Sequence, residues 1–479
     1  MTEKKWYDNA VMVNRDPNWV SAIDASSKEA CKAQFESYFS KYEGAVTDVL
    51  LGVLEQTTMT PSQSFMWRGE KYLQKTENGN EVSYPQLAPL YKAFAEYGVD
   101  GVQIFIDQMH KLGIRPWLTF RMNDAHFGDN ETSFLRSDMF YEEKDAGHLT
   151  GRRYGYYGKL FDFRHERYRN AILGYIKETL NKYDIFGIEL DFMREIICFD
   201  YLGHPEGIQE IILGYVREIK EYVSGIEKRV GHDIKISIRT CREPEDAYDF
   251  GFDIKTMVDE GLVDVVVVTP RWSPTDSALP IGKWRKLLGD DVAIMAGIET
   301  NNVKNTINTP ENTRAYAAAF YAEGADGIYL NNHEYYTERN REAWKTDRES
   351  CLVGKREFVV TSQDCAAYNA QRYAPLPMNF RGHGVIPLNI GKVNAKDKVT
   401  LLIDFEGEDI PEADIVRVHC ENGTVVPPLV VQARQGDVVL TEHTPVEYDM
   451  SGFETEGKIA IDFRGKGTVH YIKLTIDAK

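Results

Sequence analysis

Apolar residues recur in two alternating rhythms between about residue 10 and residue 345. Val102, Phe105, Ile106, Met109 and Leu112 repeat at helical spacing and stop at Gly113, a residue suited to the position just past a helix. A short apolar run follows, Trp117-Leu118-Thr119-Phe120-Arg121, and gives way to the polar Asn123-Asp124. The unit then repeats. Ala171, Ile172, Tyr175, Ile176 and Leu180 mark a helix before the strand Ile185 to Asp191, and Ile208, Ile211, Ile212, Tyr215, Val216 and Ile219 mark another before Ile234 to Arg239. Further strands are predicted at Val265–Val268, Ala293–Ile298 and Gly327–Leu330, with helical segments near 282–289 and 311–323 between them. Upstream, Val46–Leu54 and Ala10–Val13 bring the number of strands to eight.

Strand–helix alternation implies a parallel sheet, and eight such units imply a closed (β/α)8 barrel over residues 1–350. The competing architecture is an open doubly wound sheet, but no glycine-rich phosphate loop follows the first strand. Beyond about residue 350 helical periodicity fades. Runs such as Val399–Ile403, Ile415–Val418 and Val469–Leu474 are split by Gly, Pro and Asp/Asn turns, which predicts an antiparallel β-sandwich over 379–479. A linker is expected over 351–378, with its seam at Tyr373-Ala374-Pro375-Leu376-Pro377.

In a barrel of this kind the chemistry sits where strands run into the following loops. Those positions here carry Glu55, Arg121, Asn123, Asp124, Glu189, Asp191, Arg194, Arg239, Trp272, Glu299, Asn331, His333 and Glu334. Glu189 and Asp191 stand out, because alternate side chains of a strand share a face and both are carboxylates among apolar neighbours. An ion network with Arg121, Arg194 or Arg239 is the structural explanation; catalysis is the other. Glu299 ends an otherwise uncharged strand. Strands four and seven of an eight-stranded barrel are roughly opposite, so Asp191 and Glu299 are the expected catalytic pair, with Glu189 and Glu334 as alternatives. Two carboxylates serve glycosidic cleavage: one protonates the leaving oxygen while the other attacks the anomeric carbon or activates water. Glu55, Arg121, Asn123, Asp124, Arg194, Arg239, Trp272, Asn331 and His333 are then expected to bind substrate. Trp67 and Trp272 suit sugar faces, whereas Trp117 sits low on its strand and reads as structural.

Charge narrows the partners. Lys+Arg 56 against Asp+Glu 74 leaves a net charge of −18, which argues against nucleic acid and anionic membranes. Arg121, Arg239 and Arg271 leave open a carboxylate or sulfate on the substrate. No leader-like apolar segment opens the sequence, and no run approaches the ~18 apolar residues of a membrane span. The cysteines Cys31, Cys198, Cys241, Cys351, Cys365 and Cys420 are scattered, which reads as reduced thiols and a cytoplasmic setting. His pairs with metal-site spacing are missing from the sequence, so neither metal nor cofactor is expected. A carbohydrate substrate is the expected partner, and association into a homo-oligomer stays open.

The stretch Phe161-Asp162-Phe163-Arg164-His165-Glu166-Arg167, a helix, and then Phe186 to Arg194 resembles the fourth βα unit of bacterial barrel glycoside hydrolases of the family 10-like group. The resemblance spans roughly residues 8–345 and implies a sugar substrate and carboxylate catalysis at strand ends. The chain departs from two related patterns. Retaining barrel glycosidases with an Asn-Glu pair after strand four are matched here by Leu190-Asp191, and the chitinase run Asp-Gly-x-Asp-x-Asp-x-Glu by Phe186-Gly187-Ile188-Glu189-Leu190-Asp191-Phe192-Met193. Met193 thus stands where the chitinase acid would be. The reading is a glycoside hydrolase acting on a small oligosaccharide or glycoside. Its alternatives are a carbohydrate-binding barrel without turnover and a metal-dependent lyase or isomerase.

Overall fold

The apolar runs form eight parallel strands: β1 (Ala10–Arg15), β2 (Asp48–Leu54), β3 (Arg115–Arg121), β4 (Gly187–Asp191), β5 (Lys235–Thr240), β6 (Val265–Val268), β7 (Ala293–Glu299) and β8 (Gly327–Asn331). They close into a barrel in the order β1-β8-β7-β6-β5-β4-β3-β2, as the strand–helix alternation predicts. This is a computed structural model, and it describes residues 5–15, 26–70, 88–124, 136–151, 158–202, 205–270, 278–303, 306–333, 341–361, 376–406, 416–420, 425–426, 429–433, 445–450, 452 and 454–479. Covered on both faces, strands such as β2, β6 and β7 are buried throughout, which explains their near-continuous apolar sequences, broken only by Asp48 at the start of β2 and Glu299 at the end of β7.

The chain divides into two compact units, Met12–Val267 and Met1–Val11 with Val268–Lys479. In the first, helices Lys28–Phe39, Ala88–Tyr97, Gly101–Lys111, Asp138–Asp145, Glu166–Lys182, Ile208–Val230, Pro244–Asp249 and Ile254–Asp259 connect the strands. Their ends follow local chemistry. Asp100 caps Gly101–Lys111 by accepting from the amides of Val102 and Gln103, and Gly231, at φ 83°, closes Ile208–Val230 in the left-handed conformation that glycine adopts without strain. Trp117 is structural: fully buried, it donates from Nε1 to Asp48 Oδ1 at 2.8 Å, and Arg115 grips the same carboxylate from Nε at 2.7 Å and Nη2 at 2.6 Å. Its ring fills the space beside Gly187, where an added Cβ would lie 2.3 Å from the indole and 2.7 Å from the Lys235 carbonyl oxygen. Only glycine opens β4 here.

The second unit holds β7, β8, helices Ile281–Leu288 and Pro310–Ala322, and the C-terminal antiparallel sheet. Helix Pro310–Ala322 begins with a reciprocal capping box between Thr309 and Asn312. The sheet is organised by one long strand, Lys458–Asp477. Its first half pairs with Met378–Asn389 and Val416–Cys420, its second half with Lys355–Thr361 and Lys398–Glu406. Strand Lys355–Thr361 falls within the stretch read as a linker, and Tyr373 to Pro375 of the expected seam lie outside the described residues. Two amides fasten the sheet to helix Pro310–Ala322: Asn389 Nδ2 donates to the Ala319 carbonyl and Asn312 Nδ2 to the Glu357 carbonyl, both at 2.8 Å.

Candidate active site

Strand β4 delivers its two carboxylates to one face, and each meets a different environment. Glu189 is fully buried. Its Oε1 accepts from Asn14 Nδ2 at 3.0 Å and from Thr119 Oγ1 at 2.7 Å, donors supplied by β1 and β3. Asp191, one alternation further on, is 3% exposed. Its Oδ1 accepts from the Met193 amide at 2.9 Å and the Arg194 amide at 3.0 Å, a turn that fixes the carboxylate as β4 ends. Arg239, its register partner on β5, lies at 3.3 Å from Oδ2 and 3.4 Å from Oδ1. The ion pair weighed from the sequence therefore falls on Asp191.

Register also sets Arg121 of β3 beside Asp191, but its guanidinium turns toward the end of β2. There Glu55 is gripped by Arg121 and by the fully buried Arg68, whose Nε also donates to Thr57 Oγ1 at 2.9 Å. Asp124 lies 3.5 Å from Arg121 Nη1 and 4.0 Å from Arg194 Nε. Asn123 is fully buried and stitches two loops together. It donates to the carbonyls of Phe161 at 2.9 Å and Ile197 at 3.3 Å, and it accepts from the Phe161 amide at 3.1 Å. Its amide faces backbone.

In the second unit, Glu299 ends β7 and is 3% exposed. Asn331, its register partner on β8, donates from Nδ2 to Glu299 Oε2 at 2.8 Å. The Glu299 carbonyl receives Asn308 Nδ2 at 2.7 Å and His333 Nε2 at 2.9 Å. Burial pulls the His333 imidazole down to about 4, against a partial lift from its backbone partners, so at neutral pH the ring is uncharged and donates through Nε2. Asn331 and His333, expected at substrate hydroxyls, thus stand against Glu299 itself.

Glu334 and Trp272, with Arg271, lie outside the described residues. Asn14, Arg68, Thr119 and Asn308 were not singled out from the sequence. Asn14 was within reach, since alternation from Met12 points it inward; Arg68 opens a helical turn after a stretch without periodicity and Asn308 sits in a loop, so nothing in the pattern marks either. Among the described residues no group of three or more His, Cys, Asp or Glu side chains is arranged to hold a metal ion, and no helix is long and apolar enough to cross a membrane.

No family model matches the chain, and none of the curated proteins does. Solved structures similar to it include α-L-fucosidase isoenzyme 2 from Paenibacillus thiaminolyticus, at 13% identity and a TM-score of 0.43, covering 74% of this chain and 52% of that one. The PgaB (BpsB) glycoside hydrolase domain from Bordetella bronchiseptica follows at 10% identity and a TM-score of 0.43, covering 71% and 98%. A glycoside hydrolase family 18 N-acetylglucosaminidase from Paenibacillus barengoltzii gives 9% identity and a TM-score of 0.37, covering 71% and 100%. The chain spans about half the length of the first of these. All three are glycoside hydrolases by name. At such scores they carry no argument about the reaction, which rests on the residues.

Proposed function

We propose that the chain is a glycoside hydrolase of two-carboxylate mechanism, with Asp191 and Glu299 as the pair and a small oligosaccharide or glycoside as substrate. One observation carries this reading: each of these carboxylates ends a barrel strand, is almost wholly buried, and is held by donors from neighbouring strand or loop ends. Burying a carboxylate is costly, and orienting one at a barrel strand end is what acid–base chemistry on a bound substrate requires. The described contacts of both carboxylates are donated to them; Asp191 is read as the acid/base and Glu299 as the nucleophile or base. The resemblance of 161–194 to the family 10-like group points the same way. A cytoplasmic setting draws support from Cys31, Cys198, Cys241, Cys351 and Cys420, all of them free and buried.

The test is a panel of aryl glycosides assayed with the intact chain and with Asp191→Asn and Glu299→Gln. Each substitution is expected to lower kcat by about 10²-fold or more while the far-UV spectrum holds; Asp191→Asn also lowers the melting point, because it leaves the buried Arg239 without its counter-charge. Near-wild-type turnover by either variant sinks its assignment. Ligand-induced stabilisation across the panel without released aglycone would instead identify a binding barrel.

A further inference from the structure

Glu299, the last residue of β7, is held by more side chains than a strand end needs. Three side chains from two separate segments converge on it: Asn308 and His333 both donate to its carbonyl, and Asn331 donates to its carboxylate. Asn331 and His333 are separated by a single residue. Had β8 continued as a strand they would share a face and meet successive rungs of β7, whereas both are brought onto the same residue. Asn332 accounts for the difference: its φ of 55° puts it in the left-handed region. Asparagine tolerates that conformation better than most side chains, yet it still costs free energy, and such residues persist where the surroundings over-determine them. Here the surroundings are the two bonds to Glu299. Both flanking side chains are almost wholly buried, and the imidazole is neutral, so the bond from Nε2 is a fixed dipole rather than a mobile charge.

We infer that the turn Asn331-Asn332-His333 is a positioning device for Glu299, the histidine pinning the strand end and Asn331 setting the rotamer of the carboxylate. His333 and Asn331 act through Glu299 and do not themselves exchange protons with substrate. The inference rests on the glycosidase reading for its kinetic arm only. Positioning groups of this kind raise the fraction of time a reacting group spends in productive geometry, which appears in kcat rather than in substrate affinity.

The experiment compares the intact chain with His333→Leu, His333→Gln and Asn331→Ala. Leucine keeps the volume and removes the donor; glutamine returns an Nε2–H donor. On the best aryl glycoside, His333→Leu and Asn331→Ala are expected to lose tenfold or more in kcat with KM within about twofold, and His333→Gln to recover to within threefold. Wild-type kcat in Asn331→Ala, or a glutamine variant as impaired as the leucine one, overturns the inference. Crystal structures of wild type and Asn331→Ala give a readout without turnover. A Glu299 carboxylate displaced from its wild-type rotamer supports positioning, and an unmoved one overturns it, even if no glycoside in the panel is cleaved and the hydrolase reading itself fails.

Discussion

A histidine buried neutral makes the fold sensitive to acid, and His333 gives that effect a sign and a size. Its pKa lies near 4 in the folded chain, because burial disfavours the imidazolium; in the unfolded chain it returns to about 6.5. The unfolded state therefore binds the extra proton first. Stability from this residue is fully present above about pH 6.5 and is lost as the pH falls toward 4, the direction expected when a folded pKa is depressed. Linkage over that window gives a loss of about 2 kcal/mol at pH 5 and about 3 kcal/mol at pH 4. Many carboxylates titrate in the same range, so wild type alone cannot isolate the term. His333→Gln removes the titrating group and keeps a donor for the Glu299 carbonyl. Urea unfolding of both proteins at pH 7.5 and pH 5 yields a double difference in which the shared groups cancel. The variant is expected to lose about 2 kcal/mol less than wild type on acidification. Parallel losses in the two proteins would show that the imidazole is not held neutral by burial, and the reasoning would fall.

Two further perturbations test the barrel itself, each by thermal or urea unfolding. Glu55→Gln leaves the buried Arg68 and the nearly buried Arg121 without their shared counter-charge and is expected to destabilise by about 3–5 kcal/mol; a change below 1 kcal/mol would mean that other acceptors already satisfy both. Gly187→Ala drives a methyl into the Trp117 ring and the Lys235 carbonyl and should cost about 1–3 kcal/mol or more, with Trp fluorescence altered. An unshifted transition there would contradict the packing of Trp117 against β4.

The barrel was legible because burial on both faces writes each parallel strand as an apolar run, and because helices such as Gly101–Lys111 and Ile208–Val230 carry clean stripes. Helix Lys28–Phe39 went unread for the opposite reason: it buries only Cys31, Phe35 and Phe39, a stripe too thin to stand out from its polar surroundings. At the site, the sequence identified the carboxylates and offered Arg121, Arg194 and Arg239 as counter-ions, but not which arginine meets which acid nor the neutral donors. Alternation along β4 put Glu189 and Asp191 on one face, yet only barrel closure brings Asn14 and Thr119 to the first and Arg239 to the second. Register across neighbouring strands is a pairwise property, and a single chain read linearly does not contain it. Asn331 and His333 show the same limit. Their positions at the end of β8 suggested contact with substrate, and the left-handed Asn332 between them turns both onto Glu299 instead.

The charge of the chain and the charge of its candidate site are separate quantities, and the difference bears on substrate. The whole sequence carries −18, which by itself disfavours an anionic ligand. Within the unit Met12–Val267, however, the carboxylates Glu55, Asp124, Glu189 and Asp191 are accompanied by Arg68, Arg121, Arg194 and Arg239, with ion pairs joining Glu55 to Arg68 and Arg121, Asp124 to Arg121 and Arg194, and Asp191 to Arg239. These four acids are matched by four arginines, so most of the acid excess lies elsewhere on the chain. Arg121 and Arg239, two of the three arginines that the sequence offered for a substrate carboxylate or sulfate, are engaged by the protein's own acids, and recruiting either would strip a buried partner of its counter-charge at a cost of several kcal/mol. A neutral sugar asks for no such exchange. Neutral aryl glycosides are therefore expected to be turned over with kcat/KM at least tenfold above their uronic acid counterparts, compared at equal ionic strength. A preference for the uronides would show that Arg121 or Arg239 leaves its internal partner on binding, and the balance argued from the resting structure would no longer describe the working site.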